Sequence, residues 1–323
     1  MILDNKLSKQ EIIVLDGAIG SEIARLGGAM DAAARCAVAN KTHPEVVRRV
    51  HEEYIRAGAH VVTTNTYSTC RHVLAGAGLA DETVRITARA VELAREAVNE
   101  VAPDRPVAVA GSMSNNRAWI PGTVSPDPRF LPTPAEEAAN YREMAETLAA
   151  AGVDLILMEM MRDIDRASLV TAAAVETGLP VWIGLSCSLL ADGSAVAWDM
   201  HTEEPADRLA ADHARSETKP LAPLIEAMMS FEPQVMGIMH STVDAMGAGL
   251  EVLSQHWDGP VMAYPETARG HAVEPAAFAA YCRDWVEGGV EIIGGCCGTT
   301  IEHIRAMVRE LPDAMGARPA QRH

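Results

Sequence analysis

Eight short apolar runs recur along the chain, each ending in a polar or glycine-rich motif and each leading into a stretch rich in Ala, Glu and Arg. They are IIVLD (12–16), HVVTTN (60–65), PVAVAGS (106–112), VDLILME (153–159), PVWIGLS (180–186), QVMGIMH (234–240), PVMAYP (260–265) and VEIIGG (290–295). The runs are apolar almost throughout instead of alternating, the pattern of parallel strands buried on both faces. Helical stretches separate them, among them DETVRITARAVELAREAVNEV (81–101) and PAEEAANYREMAETLAAAG (134–152). Strand-then-helix units repeated in this way predict an α/β chain folded as a (β/α)8 TIM barrel around a parallel eight-stranded sheet. A doubly wound open sheet is the alternative, but no Gly-rich phosphate fingerprint follows the first run. No low-complexity segment or linker divides the chain, so one barrel domain over 1–323, with its core at about 10–310, is expected. Two long strand-to-helix excursions stand out, 113–134 with its Pro and Asn and 188–220 with its charges, and they are expected to shape the mouth of a site.

Composition narrows the function more than the fold. With 323 residues, 48% of them hydrophobic, the chain can bury a sizeable core. A formal charge of −17 without any Lys/Arg run argues against a nucleic-acid partner, and the spread-out acidity reads as solubility. The opening MILDNKLSKQ is too polar for a signal peptide, and no apolar run is long enough to span a membrane. A cytoplasmic setting follows, in which the six cysteines are core thiols, metal ligands or nucleophiles and not a disulfide framework.

In a barrel of this kind chemistry sits at the carboxyl ends of the strands. There the sequence places Asp16 and Gly17; Thr64, Asn65, Thr66 and Tyr67; Gly111 and Ser112; Glu159; Ser186 and Cys187; His240; Tyr264, Pro265 and Glu266; and Cys296 and Cys297. His240, Cys296 and Cys297 are soft ligands of the type zinc favours, and a catalytic zinc keeps one position open beside three protein ligands. On a regular strand Cys296 and Cys297 would point to opposite faces, so both reach one ion only if the backbone bends, which Gly294, Gly295 and Gly298 permit. Buried packing thiols and a hydrogen-bonded core histidine remain the alternative, and packing is the reading for Cys36, Cys70, Cys187 and Cys282. A redox pair would carry a two-residue spacer, which is absent here. Asp16 and Glu159 are either buried strand-end carboxylates or helix N-caps.

Several segments resemble the homocysteine S-methyltransferase family, and the likeness runs from about residue 10 to 310. LDGAIGSEI (15–23), TTNTYST (63–69) and LILMEMMRDIDRA (155–167) resemble family elements, and GGVEIIGGCCGTTIEHIRAM (288–307) is close to a family signature. The resemblance implies a TIM barrel with zinc held by a cysteine after the sixth strand and the two adjacent cysteines after the eighth. Cys296 and Cys297 match directly. The third ligand falls in GIMHST (237–242), where His240 stands in place of the family's cysteine and Met239 in place of its Asn. The strand-three loop GSMSNNRAWIPG (111–122), the MMRD after Glu159, and YPETARGH (264–271), where the family has Pro-Asn-X-Gly-Glu, depart as well.

The implied reaction moves a methyl group in line from a sulfonium or quaternary ammonium donor to a thiol such as homocysteine, giving methionine. The metal would provide the thiolate, and alignment much of the rate. By resemblance Asp16 and Glu159 hold the amino group of homocysteine, and Gly17, Asn65, Thr66, Ser112 and Tyr264 line the same site. Trp119, Tyr67, Tyr264 and Trp198 are candidate walls for a cationic donor. A His in place of Cys leaves two thiolates and a neutral imidazole on zinc, a net neutral site with a more acidic and less nucleophilic bound thiol. An unusual donor or acceptor is therefore expected. A barrel with a Cys2His metal site acting on another methylated sulfur or nitrogen compound, and a ligand-binding homologue without turnover, are the competing readings. A homo-oligomer is allowed but not required.

Overall fold

The computed structural model describes residues 3–123, 125–198, 219–268 and 272–312. All eight apolar runs become strands of one parallel sheet: β1 Ile13–Val14, β2 Val61–Thr63, β3 Ala108–Ser114, β4 Leu155–Met161, β5 Val181–Leu185, β8 Val235–Thr242, β9 Val261–Glu266 and β10 Ile292–Ile293. The order β1-β10-β9-β8-β5-β4-β3-β2 brings the first two strands to the two edges. A parallel bridge between Leu15 and Val61 joins those edges and closes the barrel. The seam is unusual: His60 donates its backbone N–H to Val14 O (2.8 Å), while Val14 N–H is accepted by the His60 ring at Nδ1 (3.0 Å). A side chain thus takes the place of a ladder carbonyl at the point of closure.

Strand alternation divides the apolar residues into two cores. Ile13, Leu15, Ala108, Ala110, Leu155 and Leu157 point into the barrel with Trp182, Met239 and Met262. Their neighbours Val14, Val109 and Ile156 point outward, against the helices. Those helices include Pro44–Ala57, Thr83–Val101 and Pro134–Ala151, the last started by a Thr133/Glu136 capping box and ended at Gly152 in the left-handed region. Among the described residues no helix is long and apolar enough to cross a membrane.

Two features lie outside the repeat pattern. The residues before 10 do not trail away: Leu3 is buried and Leu7 packs with it against the inner core, across a short helix Asp4–Ser8. Trp182 Nε1 donates to Gln234 Oε1 (2.8 Å), and Gln234 Nε2 reaches Asp4 Oδ1 (3.4 Å), tying this plug to the barrel floor. The charged excursion 188–220 opens with an antiparallel hairpin, β6 Cys187–Leu189 with β7 Ala195–Ala197; its residues 199–218 lie outside the described residues. The excursion 113–134 folds over the mouth, with Trp119 paired to Pro126 and a short turn of helix at Pro128–Phe130.

Candidate metal centre and substrate cavity

The cysteine pair is turned by the backbone. Thr299 N–H donates to Cys296 O (3.0 Å), closing a turn over 296–299. Gly298 sits at its third position with φ +81°, as a type II turn requires. A Cβ at Gly294 would lie 2.5 Å from Leu15 Cβ, and one at Gly295 2.5 Å from Thr299 Oγ1, so the approach to the turn is closed to larger residues. Cys296 N–H donates to Pro265 O and Thr267 N–H to Cys297 O, both at 2.8 Å. The Thr299 hydroxyl adds a bond to Cys296 O (2.7 Å) and accepts from Ala18 N–H (3.1 Å). The expected bend is therefore present, and the backbone around both thiols is pinned.

His240 reaches the same point by a different route. Met239 pairs with Tyr264 and Thr242 with Glu266, so three steps along β8 face two along β9. This is a bulge, and His240 occupies it with φ +47°. For a residue with a side chain that conformation costs about 1–2 kcal/mol. In return the ring turns inward. Its Nδ1 lies 3.4 Å from Cys296 Sγ, its Nε2 3.7 Å from Glu266 Oε2, and Trp198 meets its ring edge to face at 6.0 Å. The ligand atoms of His240, Cys296 and Cys297 all lie within 4.8 Å of one another. In this arrangement the Cys297 sulfur and burial push the Cys296 thiol well above the usual thiol range, and a cation at the cluster would reverse that preference.

A cavity of about 370 Å³ opens beside the cluster at the carboxyl end of the barrel. Asp16, Gly17, Asn65, Glu159, Tyr264, His240, Cys296 and Cys297 line it, whereas Thr66 and Ser112 do not. Thr66 Oγ1 donates to Ser112 O (2.7 Å), and the Ser112 hydroxyl donates to Glu159. Both therefore act behind the wall. Neither carboxylate is a helix N-cap. Asp16 accepts from Thr63 N–H (2.6 Å) and the Thr63 hydroxyl (2.9 Å), and Glu159 lies within β4. Burial raises Asp16 to about 8 against these hydrogen bonds, with a smaller contribution from Glu159. Burial likewise raises Glu159 to about 7, offset in part by the Ser112 hydroxyl and by His240. Two carboxyls raised into the neutral range at the floor of a cavity ionise more readily when a cation enters.

Asn65 holds protein and leaves no amide donor for a ligand: its Nδ2 donates to Cys36 O and Asn40 Oδ1, both at 2.9 Å, while its Oδ1 accepts from the Cys36 thiol (3.0 Å). Cys36 packs against the outer core as expected and also lines the cavity; Cys70, Cys187 and Cys282 are buried as expected. All four expected aromatic walls line the cavity, but two are already covered by cations. The Arg35 guanidinium lies 4.7 Å from the Trp119 ring and that of Arg162 4.8 Å from Trp198. Arg35, Met160 and Arg162 are lining residues that the sequence reading did not single out. Met160 sits in a second bulge, between β4 and β5, with φ +58°. Arg162 had a signal in the MMRD departure, and Arg35 had none beyond its place in an Ala-rich stretch.

The profile of the family described as homocysteine S-methyltransferase matches residues 13–311. Homocysteine S-methyltransferase of Escherichia coli K12 is 27% identical over 325 residues, covering 93% of this chain and 96% of that one. Betaine–homocysteine S-methyltransferase 1 of Danio rerio is 26% identical over 344 residues, covering 98% of this chain and 78% of that one. Among solved structures, the metallated form of the E. coli homocysteine methyltransferase MmuM superposes with a TM-score of 0.71 at 23% identity over 95% of this chain and 99% of that one. Its oxidised form gives 0.72 at 24% identity, over 96% and 99%. The fold is thus that of a (β/α)8 barrel methyltransferase. The chain belongs to the homocysteine S-methyltransferase family and is an S-methyltransferase.

Proposed function

We propose that the protein methylates the thiol of homocysteine to give methionine, with zinc held by His240, Cys296 and Cys297 and a sulfonium or quaternary ammonium compound as donor. The observation that carries the reading is the meeting of three soft ligand atoms within 4.8 Å, at the wall of a cavity floored by two buried acids. Zn–S bonds near 2.3 Å put the ligand atoms of a tetrahedral site about 3.7 Å apart, so the cluster fits zinc after a small contraction. When bound, zinc supplies the Lewis acidity that makes a substrate thiolate available near neutral pH.

The residues of the chain do the rest. Asp16 and Glu159 take the ammonium of homocysteine, which restores their charge and orients the sulfur toward the cluster. The sulfur then attacks the methyl carbon in line. A new S–C bond forms, the donor's S–C or N–C bond breaks, and the leaving group departs with its electron pair, neutralised. Tyr67, Trp119 and Trp198 exclude water from this path. The guanidiniums of Arg35 and Arg162 favour a donor that carries a carboxylate as well as its cationic centre, such as betaine, S-methylmethionine or dimethylsulfoniopropionate. The single barrel serves as the whole catalytic unit in this reading.

The test is metal analysis of the purified protein joined to a methionine-formation assay across those donors. Zinc near one per chain and activity that His240→Ala abolishes are expected. A zinc-free protein whose activity survives His240→Ala overturns the metal assignment, and a zinc-loaded protein that forms no methionine with any donor overturns the acceptor.

A further inference from the structure

We infer that Glu266 is the positioning residue of the metal centre: it holds the His240 imidazole at Nε2, so that Nδ1 is the nitrogen offered to the metal. The inference rests on the metal-site reading above and adds a residue to it.

The geometry gives the imidazole two occupied edges. Nε2 faces Glu266 Oε2 at 3.7 Å and Nδ1 faces Cys296 Sγ at 3.4 Å. Its ring is held from a third side by Trp198, on which Arg162 is stacked. His240 is 3% exposed and Glu266 1%, so solvent is a poor substitute for either partner. The 3.7 Å separation is longer than a hydrogen bond, and the terminal torsion of Glu266, the softest in that side chain, is the freedom by which it would shorten. A ligating histidine whose second nitrogen is fixed by a carboxylate has its tautomer and ring direction set.

The backbone around Glu266 supports the same role. Pro265 O accepts from Cys296 N–H, and Thr267 N–H donates to Cys297 O. Glu266 stands between them. One three-residue segment therefore positions the two cysteines by its main chain and the histidine by its side chain. His240 and Glu266, both departures from the family pattern, face each other here. An ionised Glu266 beside two thiolates and an imidazole would carry the same charge as three thiolates.

The test measures zinc affinity by chelator competition in the intact protein, in Glu266→Gln and Glu266→Asp, and in the same Glu266→Gln change made on a His240→Cys background. Glu266→Gln is expected to weaken zinc by about 10- to 100-fold, with Glu266→Asp recovering part of the loss. On the His240→Cys background Glu266→Gln is expected to leave affinity unchanged or improve it, because a carboxylate against a thiolate repels. A loss of equal size on both backgrounds, or no loss on the native one, overturns the inference while the metal reading stands. Wild-type protein that takes up no zinc overturns the metal reading and this inference with it. Nitrogen NMR of the zinc-loaded wild type needs no variant: a proton on Nε2 is expected, and a proton on Nδ1 overturns the assignment.

Discussion

The two walls of the cavity are built in opposite ways. On one side Asp16 and Glu159 come from β1 and β4 and owe their state to burial: each is raised, to about 8 and about 7, chiefly by the loss of water. Beside them, with Gly295 N–H donating to Asp16 O (3.0 Å), His240, Cys296 and Cys297 come from a bulge and a turn, and owe their arrangement to backbone geometry, with φ +47° at His240 and +81° at Gly298. The first wall responds to a charge that arrives. The second is set by the backbone whether or not a metal is bound. Departures from the family pattern that face each other, His240 and Glu266, lie on the geometric wall, where a change of ligand is matched by a change of partner.

That contrast orders the expected effects of mutation. Cys296→Ala or Cys297→Ala should do the most, with loss of bound metal and a fall in turnover of about a thousandfold or more, read by metal analysis beside the assay. Retained zinc in either variant would break the contrast at its foundation. Glu159→Gln among the buried acids should leave zinc bound and raise KM for homocysteine about a hundredfold; a loss of metal there would mean that the two groups are not separate. Gly298→Ala should destabilise by about 1–2 kcal/mol from positive φ alone, and further because its Cβ would meet the Thr267 backbone at 2.7 Å. The smallest effect belongs to Thr66→Val, which removes two buried hydrogen bonds, to Ser112 O and with the Thr64 hydroxyl, and about 1–2 kcal/mol of stability without changing KM, since Thr66 lies behind the wall.

A pH experiment sharpens the same difference. The folded protein without ligand keeps protons on Asp16 and Glu159 that the unfolded chain releases from about pH 4. Their contribution to stability therefore falls as pH rises through the interval up to about 7 for Glu159 and about 8 for Asp16. Thermal melts of the ligand-free protein from pH 5 to pH 8 should show a shallower decline in Asp16→Asn than in the wild type. An equal decline in the two would remove burial as the cause.

Much of this was legible in the sequence. Near-continuous apolar runs located all eight barrel strands, because a strand buried on both faces must be apolar on both. Cys296, Cys297 and His240 were legible because soft ligands at strand ends are chemically conspicuous. The bulges were not. An extra residue in the ladder leaves no mark on an apolar run, and neither Met160 nor His240 is a glycine that would betray a positive φ. Thr66 and Ser112 were expected to line the site, but they lie behind its wall, hydrogen-bonded to one another and to Glu159, while Asn65 lines the cavity with its side chain engaged by Cys36 and Asn40. Arg35 and Arg162 were missed because stacking on Trp119 and Trp198 depends on loops that no periodicity describes.

The His60 seam makes the hoop of this barrel sensitive to protons. Its ring must accept from Val14 N–H, and burial lowers its affinity for a proton to about 4. Above the ordinary histidine range the clasp costs nothing. As pH falls toward 4 the unfolded chain takes up a proton that the folded ring resists, and stability declines. Below that point the protonated ring presents a donor to a donor. The seam between the first and second strands then keeps its main-chain bond and the Asp16–Thr63 contacts, but loses the one link that a side chain supplies.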